Sequence, residues 1–363
     1  MFDVLRIRGF FAFTAMLFLN AFVDLGHKIT VQNVVFKVYD GQTQIVLTAI
    51  LNGLILLPFV LLFSPSGYIS DRFAKTSVMR ASAWLAVLLT GLITFSYYEG
   101  NFRFAFALTF ILAMQSAIYS PAKYGYIKDL AGVKKLAEAN GLVQVATTVA
   151  ILLGTFAFSI LFEHQLAGHI ISDDASVLRI IAPIGWCLVA GSLVELFFAY
   201  RLPVTKAASA ALRFEWRPYI RGDYLRNNSS LIWRNDVIWL SIVGLSVFWA
   251  IAQVVLASFP AFTKEEMGIT NTIVIQGLMA CAGIGIMLGS SMAVSASKNH
   301  IETGLIPIGA VGVAATIIVL PALQSPIALG VNFVALGFLG GLFIVPLNAL
   351  IQYHADENER GRV

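Results

Sequence analysis

Apolar runs longer than the roughly 18 residues that separate a bilayer-crossing helix from a buried soluble one recur along the whole of this sequence. A segment in hydrocarbon must satisfy its backbone polar groups internally, which leaves α-helices or a closed β-barrel. The runs lack the polar–apolar alternation of barrel strands, so helices remain. Charge agrees: 12% of residues are Asp, Glu, Lys or Arg and 58% are hydrophobic, against about a quarter charged in a soluble domain. The expected class is an all-α membrane protein.

Windows bounded by charge and by Gly/Pro breaks give ten spans, near 9–30, 44–63, 78–98, 104–122, 141–162, 179–200, 236–260, 272–294, 302–321 and 326–350. The long polar segment at 201–235 divides them into a six-helix half (1–200) and a four-helix remainder (236–363). In that segment Arg213, Arg217, Arg221, Arg226 and Arg234 interleave with Phe214, Trp216, Tyr219, Tyr224 and Trp233, the pattern of a helix lying on an anionic membrane surface, with a solvated linker as the alternative. Basic residues near spans stay on the cytoplasmic side. With the N-terminus inside, Lys37, Arg103, Arg179 and Lys264 fall in outer loops and Lys28 within the first span; every other Lys and Arg falls in an inner segment. A miscounted helix would scramble that bias.

The first run follows Arg6 and Arg8 and carries Asp24 and Lys28 in place of a small-residue cleavage site, so it reads as a retained helix. Cys187 and Cys281 both fall inside spans, where neither a disulfide nor a metal pair is indicated. Gly285/Gly289 and Gly337/Gly341 have the spacing of close helix packing. Gly283-Ile284-Gly285 follows no strand and is no dinucleotide fingerprint, so no cofactor is expected, and no nucleic-acid partner either.

Polar groups inside spans are the candidates for function. Asn20, Asp24, His27 and Lys28 fall at i, i+4, i+7 and i+8, one stripe of the first helix, which must look inward. A charge near a helix centre costs about 2.5–3.5 kcal/mol even on the gentler insertion scale, so it persists where it meets a cavity or a partner. Asp24 and Lys28 either mark a pathway or neutralise one another, with Lys28 reaching the outer surface. Asp24, about 24 Å above Arg8, is too deep for that escape. His27 reads as a hydrogen-bonded structural residue. Asn52, Gln115, Gln253 and Asn348 are amides at span depth that need partners. His169 and Asp174 show the His-x4-Asp spacing of glycerolipid acyltransferases, but no soluble α/β domain surrounds them and chance is the better explanation.

Ser120-Pro121-Ala122-Lys123-Tyr124-Gly125 at the end of the fourth span is echoed by Val345-Pro346-Leu347-Asn348-Ala349-Leu350 in the tenth, as two repeated halves would give. On that basis ten of twelve helices are present, and Asp356 to Val363 looks like an inner loop leading into another span.

Gly67-Tyr68-Ile69-Ser70-Asp71-Arg72-Phe73-Ala74-Lys75 resembles the inner-loop signature of the major facilitator superfamily, departing from it at Ala74. Gly67 would permit close backbone approach, Asp71 could face a helix N-terminus, and Arg72 and Lys75 would hold the inner surface. The Pro121 and Pro346 stretches, with Asn140-Gly141-Leu142-Val143-Gln144 and Val23-Asp24-Leu25-Gly26-His27-Lys28, resemble the bacterial lysophospholipid transporter family, including versions fused to an acyltransferase and an acyl-carrier-protein ligase.

That resemblance implies a major facilitator fold of two pseudo-repeated halves in the bacterial inner membrane, N-terminus cytoplasmic. It further implies inward flipping of lysophosphatidylethanolamine or a similar lysolipid for re-acylation, with membrane lipids and the acyltransferase/ligase as partners. Asp24 would hold the head-group ammonium, Lys123 would attract the phosphate or close the inner mouth, and Asn20, Lys28, Asn52, Gln115, Tyr124, Gln253 and Asn348 would complete the lining. No catalytic residue is expected. Two alternatives stand: a proton-coupled exporter of drugs or small solutes with Asp24 as proton carrier, and a membrane anchor for an acylating enzyme without transport of its own.

Overall fold

A computed structural model describes residues 4–132, 135–204, 217, 219, 221–222, 233, 235–297 and 300–354. Among these no strand occurs, and ten helices are long and apolar enough to cross a membrane. The chain is a multi-pass membrane protein. Most of the interfacial segment (Arg213, Phe214, Trp216, Tyr224, Arg226, Arg234) and the C-terminal stretch from Asp356 lie outside the described residues.

The chain forms two compact units, one of Met1–Phe214 with Thr270–Ile273 and one of Glu215–Ile269 with Val274–Val363. The first holds α1 (Phe10–Val38), α2 (Gly41–Leu61), α3 (Phe63–Arg72), α4 (Lys75–Glu99), α5 (Phe102–Ala131), α6 (Leu136–Leu166), α7 (Asp174–Ile181) and α8 (Gly185–Tyr200). The second holds α9 (Asp236–Met267), α10 (Thr272–Ala296), α11 (Leu305–Val319) and α12 (Pro326–His354). The starts of α5, α7 and α9 carry side-chain caps that satisfy orphan amides. Asn101 accepts from Phe104 N at 3.0 Å, Asp173 closes a capping box with Ser176, and Asn235 accepts from Val237 N at 3.0 Å.

Three sequence boundaries are corrected. The first span was expected to stop near residue 30, but α1 runs to Val38 because nothing breaks it: Gln32 and Asn33 are buried, and Asn33 donates to Ser159 on α6 at 3.3 Å. Lys37, expected in an outer loop, sits in the last turn of α1 and pairs with Glu163 at 2.9 Å. Pro121 and Pro346 do not end their helices; α5 continues to Ala131 and α12 to His354.

The first unit has two separate apolar cores. One gathers Val31, Leu51, Ile93, Tyr97, Phe158 and Val177 toward one end of the bundle. The other gathers Phe13, Met16, Met79, Tyr126, Val143 and Ala199 toward the opposite end. Between them runs a buried polar layer: Asn20 on α1, Gln115 on α5, and Ser192 and Glu195 on α8. In the second unit α10 and α12 touch through backbone. A Cβ on Gly289 would lie 1.9 Å from the Phe338 carbonyl oxygen, and one on Gly337 would lie 2.0 Å from that of Ala282. Glycine is therefore required at the spacing read as a packing motif.

Candidate functional site

Four helices of the first unit enclose a cavity of about 320 Å³ at the level of the polar layer, a volume within the range of small-molecule sites. α1 presents Asn20, Asp24 and Lys28; α5 presents Ser116, Tyr119, Lys123 and Tyr124. α2 contributes Ile55 and Phe59 and α6 contributes Ile151, so the remaining walls are mostly apolar.

The i, i+4, i+8 spacing sets Asn20, Asp24 and Lys28 above one another, about 6 Å per step. The Ser116 hydroxyl donates to the Asp24 carboxylate. Lys123, about 10 Å further along α5 than Ser116, is the basic residue whose charge acts on Asp24, and its Nζ lies 5.0 Å from the centre of the Tyr124 ring. No ion pair joins Asp24 to Lys28 among the described residues, so these two do not neutralise one another. The cavity thus has a lysine, a carboxyl group and a lysine in sequence along its length.

His27 leaves the stripe. It is fully buried, with Nδ1 2.8 Å from the Tyr97 hydroxyl and Nε2 3.0 Å from Thr109 Oγ1, which ties α1 to α4 and α5. Gln115 lies behind Ser116: its Oε1 accepts from the Ser116 hydroxyl at 3.2 Å, while its amide donates to Ser82 Oγ at 2.6 Å and lines a separate apolar groove with Phe73 and Leu85. Asn52 is buried on α2 outside the cavity wall. In the second unit Gln253 is half-buried on α9, and Asn348 is exposed on α12, bonding back to the Ile344 carbonyl at 3.1 Å.

The inner-loop signature is helical. Gly67, Asp71 and Arg72 belong to α3, and Lys75 opens α4. Gly67 serves no close approach, since a Cβ there meets nothing within 4 Å. Asp71 is exposed, and Arg72 donates to Tyr68. The contact is made by Lys75, which pairs with Asp129 on α5 at 2.7 Å. Gly125 makes room for it: a Cβ there would sit 2.8 Å from Lys75 Cε. His169 is exposed, and Asp174 accepts from Tyr39 Oη at 2.6 Å.

Three residues of the layer escaped sequence reading. Ser116 and Tyr119 are uncharged and unremarkable on an apolar helix. Glu195 was detectable, as an acid inside the run Leu188–Ala199. It is fully buried, beside the Asn20 side chain.

The Major Facilitator Superfamily family model matches residues 8–363. The chain is 30% identical to the lysophospholipid transporter LplT of Citrobacter koseri over 362 residues, 98% of this chain and 81% of that protein. It is 29% identical to the LplT of Enterobacter sp. (strain 638), with the same shares of each chain covered. Among solved structures it resembles a bacterial homologue of the human lysosomal transporter Spinster (TM-score 0.68, 14% identity, 97% of this chain and 76% of that one). It also resembles the xylose transporter XylE from E. coli (TM-score 0.60, 14% identity, 99% and 84%). Signature, helix count, profile and relatives coincide: the chain belongs to the major facilitator superfamily and, within it, to the family of the bacterial lysophospholipid transporters.

Proposed function

We propose that this chain carries a lysophospholipid, lysophosphatidylethanolamine or one of similar head group, from the outer to the cytoplasmic leaflet of a bacterial inner membrane. The observation that carries the reading is the alternation of Lys28, Asp24 and Lys123 in one apolar-walled cavity. A lysophosphatidylethanolamine head group carries one phosphate anion and one ammonium. Asp24 accepts the ammonium, and Lys123 attracts the phosphate or shuts the inner mouth. Lys28 offers the phosphate a second position, and Asn20 and Tyr124 border the path. The single acyl chain lies along Ile55, Phe59 and Ile151. Gln115 and Asn52 are not among the side chains that line this cavity, and Gln253 and Asn348 belong to the second unit.

The charge bias of the loops supports a cytoplasmic N-terminus. The delivered lysolipid would then meet an acyltransferase and an acyl-carrier-protein ligase for re-acylation, fused or separate.

The test is uptake of fluorescent lysophosphatidylethanolamine into proteoliposomes. Asp24→Asn and Lys123→Ala are each expected to slow uptake about tenfold, the scale of one lost charge-assisted contact, with the protein still in the membrane. Undiminished uptake in either variant removes that residue from the scheme. Gradient-driven solute efflux with no lysolipid movement would replace the reading with that of a proton-coupled exporter.

A further inference from the structure

We propose that Arg80 and Arg201, with Trp84 and Tyr200, form a binding site for the head group of an anionic glycerophospholipid at the inner end of the α4–α8 face. The inference is separate from the transport reading. It takes from the loop charges only that this end lies toward the cytoplasm.

The two helices run antiparallel, and a buried bond between Thr90 and Ser192 at 2.8 Å joins them. This brings Arg80, in the second turn of α4, against the end of α8. Its Nε donates to the Ala199 carbonyl and its Nη2 to that of Leu202, each at 3.2 Å, so it holds carbonyls on both sides of Arg201. The chain beyond is fixed as well: Tyr126 donates to the Pro203 carbonyl at 2.9 Å, and a Cβ on Gly9 would lie 2.3 Å from Pro203 Cδ. Arg80 sits over the Tyr200 ring at 5.1 Å from its centre, and Arg201 over that of Phe197 at 4.7 Å. Phe197 and Tyr200 are three residues apart on one face of α8, so each ring of that face carries a guanidinium. Trp84, one turn above Arg80, donates to the Tyr200 hydroxyl at 3.1 Å.

Neither arginine is paired with an acid among the described residues, whereas Lys75, at the same end of the bundle, is paired with Asp129. Two of the five N–H groups of Arg80 are used by the carbonyls, and the rest stay open to a further acceptor. The guanidinium fork matches phosphate oxygens, and stacking on an aromatic ring leaves its edge free to meet them. Trp84 and Tyr200 are each 56% exposed although they bond to one another, which suits rings that rest at the boundary between hydrocarbon and head groups. Above them the same face is apolar and open, with Leu88 on α4 and Leu193 and Val194 on α8 exposed. Phosphate at the arginines, glycerol backbone at the Trp–Tyr pair and acyl chains along the leucines follow the order of groups in an inner-leaflet lipid.

The test counts lipids retained on the purified full chain by native mass spectrometry, in detergent holding equal amounts of dioleoylphosphatidylglycerol and dioleoylphosphatidylcholine. Wild type is expected to retain phosphatidylglycerol in preference. Arg201→Gln and Arg80→Gln should each cut that preference about fivefold, the scale of one arginine at an anionic lipid surface. Because Arg80 also holds two carbonyls, Arg201→Gln, which releases none, is the deciding variant. Arg201→Lys keeps the charge and should keep most of the preference. Arg103→Gln, an exposed cation at the start of α5 and the opposite end of the bundle, should change nothing. Equal retention of the two lipids by wild type, or an Arg201→Gln variant that matches wild type, overturns the site. A loss in Arg103→Gln equal to that in Arg201→Gln overturns it too, since net charge alone would then draw the lipid.

Discussion

Removing the imidazole of His27 takes one hydrogen-bond partner from each of two buried hydroxyls, those of Tyr97 and Thr109. His27→Leu should therefore lower stability by about 1–3 kcal/mol, read as a drop in thermal unfolding temperature in detergent. Uptake per folded molecule and its pH profile should stay unchanged, because His27 does not line the cavity. Lost uptake at full stability would place His27 on the substrate path instead. The different fates of Asp24 and His27 mark how far single residues could be read. Helical spacing put both on one stripe, and the cost of burying charge singled out Asp24, Lys28 and Glu195 in principle. Which of them meets a cavity, and which a tyrosine, depends on contacts between helices distant in the chain. Periodicity carries no information about those contacts. Ser116 shows the limit most clearly, since an ordinary serine becomes Asp24's partner only once α1 and α5 are packed together.

For whole helices, the glycines of α10 and α12 make the sharpest prediction. Gly289→Leu or Gly337→Leu forces a side chain into a neighbouring carbonyl, and overpacking of a tight contact costs typically about 1–3 kcal/mol. Melting temperature and the yield of folded protein should both fall. Gly53→Ala, on α2, should lower neither, because a Cβ there meets nothing within 4 Å; a loss equal to that of the Gly289 and Gly337 variants would mean that close contact does not set the cost at these sites. The ten spans were legible because hydropathy and loop charge are independent signals that agree. Their ends were not. α1 was cut short because Gln32 and Asn33 look like a boundary in sequence, yet they are buried against the bundle. The polar signature of α3 reads as a loop in sequence, although a short helix can have the same composition.

Across the molecule, the first unit departs from an ordinary soluble bundle in having its polar groups at mid-height and its tight apolar packing at both ends. Each end is also stitched by an ion pair, Lys37 to Glu163 and Lys75 to Asp129. Helices in solution usually fray from their termini and are firmest in the middle. Here the packing runs the other way, with the apolar clusters at the ends. In hydrogen–deuterium exchange, amides near Asp24 and Ser116 should therefore label sooner than those near Phe13 and Val34 on α1, and sooner than those near Leu108 and Tyr126 on α5. A saturating lysolipid should slow the labelling of the middle alone.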